Sequence, residues 1–349
     1  MKKIFQLLTI SLTAVVCCNC STSFYFANFV VPAEKYIPAD VKTIRIINRS
    51  EGNNETNYYK INGQATENLK GVATTTANEA IKVLREQIEK FNRYTIIESS
   101  QQITKPNNGF PADPLNIQDI AKYCTKDKVD ALIAADGVDL SINTNGEVEF
   151  IPGIDQFGNP ISMPQFNSER EVDLSIAWRM YDCKKMVVGD EYIGYERINF
   201  TKSGYSEDQS YNQLPTKTGS VNDIARIAGI NYANRISPHR LGAYRKYFDT
   251  GSEKLIEAGQ LIRLEENWEK ATEIWSNATN SPNIKESSRA KFNLALAAEM
   301  LGKPDISKVW IDKALLQTDK KVFKDYAIEI DKQILIKKVV EKQIGTNNF

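Results

Sequence analysis

The C-terminal part of the chain contains a repeated pattern of small and large apolar residues, and this repeat restricts the fold more than any other feature. Small residues at a fixed spacing let two helices approach closely, and large apolar residues fill the space between successive helix pairs. The pattern predicts an all-helical domain over residues 252–349. Ala258-Gly259, Trp268, Ala271, Trp275 and Ala278 recur thirty-six residues later as Leu294-Ala295, Pro304, Ser307, Ile311 and Ala314.

This segment resembles the tetratricopeptide repeat, whose unit is a pair of antiparallel helices. Ser307 departs from the alanine expected at its position. Two units are fewer than the roughly three that a stable array needs, so residues 320–343 are expected to form a capping helix. The second unit carries the resemblance best, in Asn293-Leu294-Ala295, Leu301-Gly302 and Ala314-Leu315.

Residues 40–248 alternate between strand and helix patterns. Val41–Asn48 and Val129–Ala135 are apolar runs typical of buried strands, and Leu69–Phe91 between them has apolar residues three and four positions apart. Val172–Met180 alternates strictly, as a half-buried strand does. The order of these patterns predicts an α/β (or α+β) domain in which helices back a mixed sheet.

The middle of this domain contains turn signals. Asn145-Gly146 is a hairpin-turn dipeptide, and residues 151–170 are rich in Pro, Gly and Asn, which predicts a surface loop. A helix is expected to start at Ser220 and to end before Pro238. In outline the domain resembles the periplasmic domains of curli-secretion-type lipoproteins. That resemblance implies assembly into an oligomer through this domain.

The first twenty residues are typical of a signal peptide. Two lysines precede the uncharged stretch Ile4–Val16, which is too short to span a bilayer. The cysteine run that follows resembles a lipoprotein signal. Cys20 is the expected lipidation site, because Cys-Ser-Thr-Ser resembles the polar start of mature lipoproteins, and Cys18 is the alternative. The sequence thus predicts a lipid anchor in the cell envelope, at the outer membrane, with residues 21–39 as a tether.

Two cysteines, Cys124 and Cys183, remain in the predicted mature chain. Cys124 is predicted at a helix end and Cys183 at a hairpin turn. Cysteines outside the cytoplasm can pair, so a disulfide is one alternative. Two free, buried thiols are the expected state.

Composition argues against several classes of function. The chain has 44 basic and 44 acidic residues, so it lacks the positive charge that nucleic-acid binding requires. His239 is the only histidine, which excludes multi-histidine metal sites and leaves a Ser-His-Asp or Cys-His triad only if His239 itself serves. We expect His239 to be a packing or surface residue. No glycine-rich phosphate loop is present. We expect no enzyme activity, no catalytic residue, no metal and no cofactor.

Six acidic residues around the central strands offer the remaining place for chemistry. A carboxylate pair can hydrolyse glycosides, and a carboxylate cluster can bind calcium, although no segment has calcium-binding spacing. We expect these side chains to be solvated. An envelope enzyme that acts on glycans through them is the alternative function. The six are Asp130, Asp136, Asp139, Glu147, Glu149 and Asp155.

The leading hypothesis is an interaction scaffold whose helical repeats hold a protein or peptide partner. Asn267–Ala271 and Arg235–Pro238 resemble an uncharacterised family of repeat-bearing lipoproteins from Gram-negative bacteria, for which no activity is established. By the phase of the repeat, the predicted partner-binding face contains Glu257, Gln260, Arg263, Asn293 and Glu299. The alternative interpretation is that these are ordinary solvated helix residues.

Replacing Cys20 tests the predicted anchor. Cys20→Ser is expected to abolish lipid attachment and to release the protein from membranes, because the acyl chains on this cysteine are the predicted anchor. The measurement is metabolic labelling with a clickable fatty acid, followed by membrane fractionation. Cys18→Ser is the control and should retain the label. Loss of label in Cys18→Ser alone would move the site, and an unlabelled parent protein would contradict the lipoprotein prediction.

Overall fold

The computed structural model describes residues 22–50, 59–61, 64–66, 72–97, 110–125 and 128–344. The predicted signal peptide and its lipidation candidates, Cys18 and Cys20, lie outside these residues. The chain divides into two compact units. We call the unit that contains residues 33–239 the sheet unit, and the unit that contains residues 22–32 and 240–342 the helical unit. A mixed sheet with helices precedes an all-helical region that starts at Glu253, which confirms the predicted fold class.

The elements are named here in chain order. The strands are β1 (Ser23–Val31), β2 (Thr43–Asn48), β3 (Tyr59–Ile61), β4 (Gln64–Thr66), β5 (Thr95–Ile97), β6 (Ala131–Ile154), β7 (Pro160–Asp182), β8 (Val187–Gly204) and β9 (His239–Tyr247). The helices are α1 (Val72–Glu89), α2 (Ile117–Cys124), α3 (Glu207–Asn212), α4 (Lys217–Ile236), α5 (Glu253–Glu265), α6 (Trp268–Ala278), α7 (Ile284–Met300), α8 (Pro304–Leu315) and α9 (Lys321–Ile344).

The sheet unit is built on one five-stranded sheet in the order β5-β2-β6-β7-β8. β2 is parallel to both β5 and β6, whereas β6, β7 and β8 form an antiparallel meander. This arrangement follows from the connections. Parallel strands need a long crossover, which contains α1 between β2 and β5, and short turns suffice between β6, β7 and β8. The short strands β3 and β4 pair with each other.

Helices α1 and α4 cover one face of this sheet. Their apolar residues pack on those of β6 and β7, and the Trp178 ring stacks on Tyr232 of α4 with centroids 4.5 Å apart. The two helices touch at Gly229, where an added Cβ would lie 2.3 Å from the carbonyl oxygen of Ala80. Glycine is needed there because any side chain would separate the helices. The opposite face of the sheet packs on α2 through Tyr123 and Leu132.

The helical unit has its own core and its own two-stranded sheet, β1 with β9. Ala258, Ala271, Trp275, Ala295 and the repeat residues Ile311 and Ala314 are buried together. Side-chain caps explain where the helices begin: Ser252 accepts a hydrogen bond from the Leu255 amide, and Asn267 accepts one from the Lys270 amide. The assignment of these helices to the tetratricopeptide class stays a prediction.

Several local expectations differ from the structure. Residues 21–39 are not a simple tether, because β1 lies within them and pairs with β9. No turn occurs at Asn145-Gly146, and residues 151–170 are not a loop: β6 and β7 run through both segments and turn only between Ile154 and Pro160. Helix α4 begins one turn before the predicted Ser220, because the Thr216 side chain caps it at the Gly219 amide.

The two cysteines of the sheet unit are paired. Cys124, at the end of α2, and Cys183, in the turn after β7, form a disulfide with Cα atoms 5.5 Å apart. The expectation of two free thiols is therefore wrong. The bond ties the end of α2 to the turn that follows β7. A disulfide is consistent with a compartment outside the cytoplasm.

A charge placed at Ala271 tests the packing of the repeat. Ala271→Glu is expected to lower the free energy of unfolding of the helical unit by about 3 kcal/mol or more, because Ala271 is fully buried in an apolar core. Urea unfolding followed by circular dichroism measures the change. Ser276→Glu introduces the same charge at an exposed position of α6 and should change stability by about 0.5 kcal/mol or less. Equal effects in the two variants would contradict the alignment.

Candidate functional site

Strands β6 and β7 continue beyond the part of the sheet that is covered by helices. Thr144 is the last buried residue of β6, and every residue from Asn145 to Phe150 is exposed. β8 pairs with β7 as far as the pair Phe166–Gly204, and the hairpin beyond it is two-stranded up to the pair Ile154–Pro160. We call residues 145–169 the arm. Its exposed surface is the largest feature of the sheet unit that packing does not explain.

The base of the arm is held by α3 and the turn that follows it. The hydroxyls of Ser168 and Ser210 are 2.7 Å apart, and Nε of Arg170 donates to Oγ1 of Thr144 at 3.1 Å. Arg170 also donates to the carbonyl of Pro215 and stacks on the Tyr211 ring. These contacts join β6, β7 and α3, so the arm leaves the sheet at a defined position.

The turn at the end of the arm is built around Asp155. One carboxylate oxygen of Asp155 accepts hydrogen bonds from the amides of Phe157 and Asn159, each at 2.8 Å, and Gly158 takes a positive φ of 87°. The backbone amide of Asn159 is the main cause that lowers the pKa of Asp155. The carboxylate therefore forms the turn, which accounts for one of the six acidic residues without any chemistry.

The outer end of the arm is apolar. Phe150, Ile154 and Phe157 are 68%, 71% and 79% exposed, and Ile161 and Val148 are also exposed. Between Phe150 and Pro164 the only charged residue is Asp155. Val148, Phe150 and Ile154 lie at alternate positions of β6 and therefore on one face of the arm. Soluble proteins rarely leave apolar surface of this kind uncovered unless it meets a partner.

The inner part of the arm carries a polar groove of about 430 Å³ on one face. Glu147 and Glu149 lie on it at alternate positions of β6, and Glu169 of β7 joins them. No lysine or arginine lines it. Its remaining lining is made of amides and hydroxyls, from Asn145, Gln165, Asn167, Thr201 and Ser203.

Asp136 has a different environment, because it is fully buried between two arginines. Its carboxylate oxygens lie 2.7 Å from Nη1 of Arg49 and 2.6 Å from Nη1 of Arg179. Burial raises the pKa of Asp136, and the two guanidinium groups, Arg49 foremost, oppose that shift. Arg179 also pairs with Glu191 at 2.5 Å. This is a structural ion cluster without access for a substrate, so the expectation that Asp136 is solvated is wrong.

The roles of Arg49 and Arg179 were not predicted from the sequence. The signal that could have found them is an arginine inside an apolar strand, as in Trp178-Arg179-Met180. A buried guanidinium needs a carboxylate partner, and that requirement points to a nearby acid.

The other acidic candidates lie apart from the groove. One carboxylate oxygen of Asp130 accepts hydrogen bonds from the amides of Lys42 and Thr43, each at 2.9 Å, so it ties β2 to the start of β6. Asp139 is exposed on β6.

His239 is half-buried, and burial lowers its pKa.

The five residues predicted to bind a partner fall into two groups. Glu257, Gln260 and Arg263 are exposed on α5. Asn293 is fully buried and exchanges two hydrogen bonds with the backbone of Phe248, at 2.8 and 2.7 Å. Glu299 is also buried and is bound to Arg245 and Tyr326. The structure thus corrects the predicted face, since Asn293 and Glu299 stabilise the core and cannot meet a partner.

The residues that the structure describes offer neither a clustered metal site nor a membrane-spanning helix. Within them, no group of three or more acidic, cysteine or histidine side chains is arranged to hold a metal ion. None of their helices combines the length and apolar character needed to cross a bilayer.

Two family models match the sequence. The one described as Domain of unknown function (DUF8603) matches residues 41–248, and the one described as Domain of unknown function (DUF6340) matches residues 257–338. None of the curated proteins matches the chain.

Two solved structures show weak similarity. One is a protein from Helicobacter pylori named as a homolog of a neuraminyllactose-binding hemagglutinin, with 13% identity, a TM-score of 0.25, and coverage of 66% of this chain and 94% of that chain. The other is the PelC dodecamer from Paraburkholderia phytofirmans, with 10% identity, a TM-score of 0.18, and coverage of 59% and 95%. Similarity at these TM-scores supports no structural argument.

Removing the charge of Asp136 tests the ion cluster. Asp136→Asn is expected to lower the free energy of unfolding by about 3–5 kcal/mol, because it leaves two buried guanidinium groups without a counter-charge. Chemical unfolding of the purified protein measures the change. Asp139→Asn removes an exposed carboxylate three residues away and should change stability by about 0.5 kcal/mol or less. A similar small effect at both positions would contradict the structural role of Asp136.

Proposed function

The chain belongs to the family described as Domain of unknown function (DUF8603), and from this premise we propose that it is a non-catalytic scaffold of the cell envelope, anchored by a lipid on Cys20. In this proposal the helical unit binds a protein or peptide partner, and the sheet unit joins copies of the chain through the arm. The apolar end of the arm is the observation that carries the proposal, because exposed apolar surface of this kind is typical of an interaction site.

The arm is suited to self-association through its apolar surface. Beyond Phe166, the outer edge of β7 has no strand paired to it among the described residues. Pro160 and Pro164 on this edge have no amide hydrogen to donate, so they limit its pairing with a strand of another molecule. Two arms can instead bury Phe150, Phe157 and their neighbours against each other. A second copy supplies the matching apolar surface.

A face of α5 supports partner binding by the helical unit. The exposed residues Glu257, Gln260 and Arg263 lie beside two apolar side chains, Ile256 and Leu264, which are also exposed. Leu264 is 73% exposed, and it lies two helical turns from Ile256 on the same side. Apolar side chains surrounded by polar ones are the composition of a protein interface.

The groove of the arm favours a second candidate, an envelope enzyme acting on glycans. Glu147 and Glu149 occupy alternate strand positions, so their Cβ atoms are about 7 Å apart. That separation is within the range of paired carboxylates in glycosidases, and the amides and hydroxyls of the lining suit sugar hydroxyls. The two glutamates lie on the same strand and project in the same direction, however, whereas glycosidase carboxylates face each other across the scissile bond.

Site-specific photo-crosslinking distinguishes these functions. A photoreactive residue at Leu264 is expected to give one discrete adduct with another protein in intact cells, and one at Phe157 is expected to give a dimer of this chain. Lys270, exposed on α6, is the control position and should give neither. Adducts of equal yield at all three positions would contradict the scaffold proposal.

The alternative function, glycan hydrolysis, predicts a different result for the same protein. If the chain is an enzyme, it must release soluble fragments from purified cell-wall or outer-membrane glycans, and Glu147→Gln or Glu149→Gln must abolish the release. Asp139→Asn should not affect it, because Asp139 lies outside the groove. The scaffold proposal expects no release from the parent protein.

A further inference from the structure

A cavity of about 500 Å³ in the helical unit has a lining whose charges are all positive. Lys246, Lys285, Arg289 and Lys320 line it, and no aspartate or glutamate does. The cations come from β9, α7 and the segment before α9, so three separate elements bring positive charge to one space. The cavity is far from neutral although the chain as a whole has no net charge.

Arg289 is the central cation of this cavity, and it is only 7% exposed. Its Nη1 donates to the carbonyl of Thr250 at 2.8 Å, and the guanidinium lies 4.8 Å from the centroid of the Phe248 ring. Burial lowers the pKa of Arg289, and no acidic neighbour contributes to its environment. A guanidinium so placed retains donors for an anion that the described residues do not supply.

The backbone near Arg289 is adapted to hold it. Gly251 has a φ of 99°, and a Cβ at that position would lie 2.5 Å from Nη1 of Arg289. Only glycine combines this backbone conformation with the space for the guanidinium. The turn that follows β9 therefore fits around the buried cation.

A second donor in the lining is fixed by its neighbours. Oε1 of Gln317 accepts a hydrogen bond from Nζ of Lys291 at 2.8 Å. An ammonium group can only donate, so the oxygen of Gln317 must face Lys291. The Nε2 donor group of Gln317 is then left for the cavity.

Helix ends add to the positive potential. The first turns of α7 and α9 both contribute lining residues, Lys285 in α7 and Phe323 in α9. The N-terminus of a helix carries a partial positive charge from its aligned peptide dipoles. These fields add to those of the four cations.

The rest of the lining combines the hydroxyl groups of Thr22, Ser288 and Thr318 with apolar side chains. The rings of Phe248 and Phe323 stack with centroids 5.5 Å apart and are almost fully buried behind the cavity. Ile284 and Val322 line the cavity with apolar surface that is open to solvent, and an inorganic ion alone would leave this surface in contact with water. The ligand that fits both parts has an anionic head and an apolar body.

We propose that this cavity binds an organic anion, with a carboxylate or phosphate head against Arg289 and Gln317 and an apolar body against Ile284 and Val322. The volume lies within the range of small-molecule sites. This site is independent of the scaffold function, because it uses neither the exposed face of α5 nor the arm.

Binding of anilinonaphthalene sulfonate, which has an anionic head and an aromatic body, provides the test. The purified protein is expected to bind one molecule of the dye, with an increase in fluorescence, and Arg289→Gln should weaken binding about tenfold or more, since it removes the charge-assisted hydrogen bonds. Decanoate and decyl phosphate should displace the dye and thereby compare the two head groups. Inorganic phosphate should displace it poorly. Displacement by inorganic phosphate as effective as by decanoate would overturn the proposal.

Exposed cations provide a variant that does not disturb the core. Lys320→Gln removes a lining charge and is expected to weaken dye binding several-fold. Lys321→Gln removes the same charge from the next residue, which does not line the cavity, and should leave binding unchanged. Equal effects of Lys320→Gln and Lys321→Gln would show that the dye is held only by general electrostatic attraction, and would contradict the proposed site. Unfolding curves for each variant distinguish lost binding from lost folding.

Discussion

The buried carboxylate of Asp136 lies at the point where β6 stops pairing with β2, before the strand continues toward the arm. β2 pairs with β6 as far as Asn48 and Ala135, and the register with β7 shifts immediately afterwards, between Ala135 and Gly137. The extra residue in this bulge is Asp136, which meets Arg49 beyond β2 and Arg179 on β7. The backbone carbonyl of Asp136 also accepts a hydrogen bond from the Ala112 amide at 3.0 Å. This bulge therefore joins β6 to β7, to the residue that follows β2, and to the segment at Ala112.

Local patterns in the sequence predicted the parts of the fold whose burial is periodic. The helix predicted over Leu69–Phe91 and the strand predicted over Val172–Met180 both occur, because each has one apolar face that a neighbour covers. The arm was missed because its turn dipeptide at Asn145-Gly146 is overridden by pairing with residues Ser168 and Glu169, far along the chain. Its prolines are tolerated because a two-stranded ribbon exposes alternate amide groups, which need no partner strand.

The roles of side chains in the helical unit could be predicted only in part, because contacts between residues distant in sequence decide them. The phase of α7 relative to the repeat placed Asn293 and Glu299 outward, and repeat geometry alone gives no cause to doubt it. The partners that bury them come from outside the repeat. Arg245 belongs to β9 and Phe248 follows it. Both lie within residues 40–248, which were predicted to form the preceding domain. Likewise, the pairing of Cys124 with Cys183 spans 59 residues, and neither cysteine's local sequence indicates the distance between them.

The helical unit contains two buried arginines whose surroundings separate stability from recognition. Arg245 is fully neutralised: Nε and Nη2 donate to Glu299 at 3.1 and 2.9 Å, and Glu299 also accepts from the hydroxyl of Tyr326 at 2.8 Å. A cation satisfied within the fold has nothing left to offer a ligand, so its role is to join β9 to α7. Arg289 lies on α7, the helix that also carries Glu299, yet its neighbours are a carbonyl and an aromatic ring, and no described carboxylate pairs with it. Burying an uncompensated charge is costly, and a fold keeps such a group most readily where an anion from outside completes it.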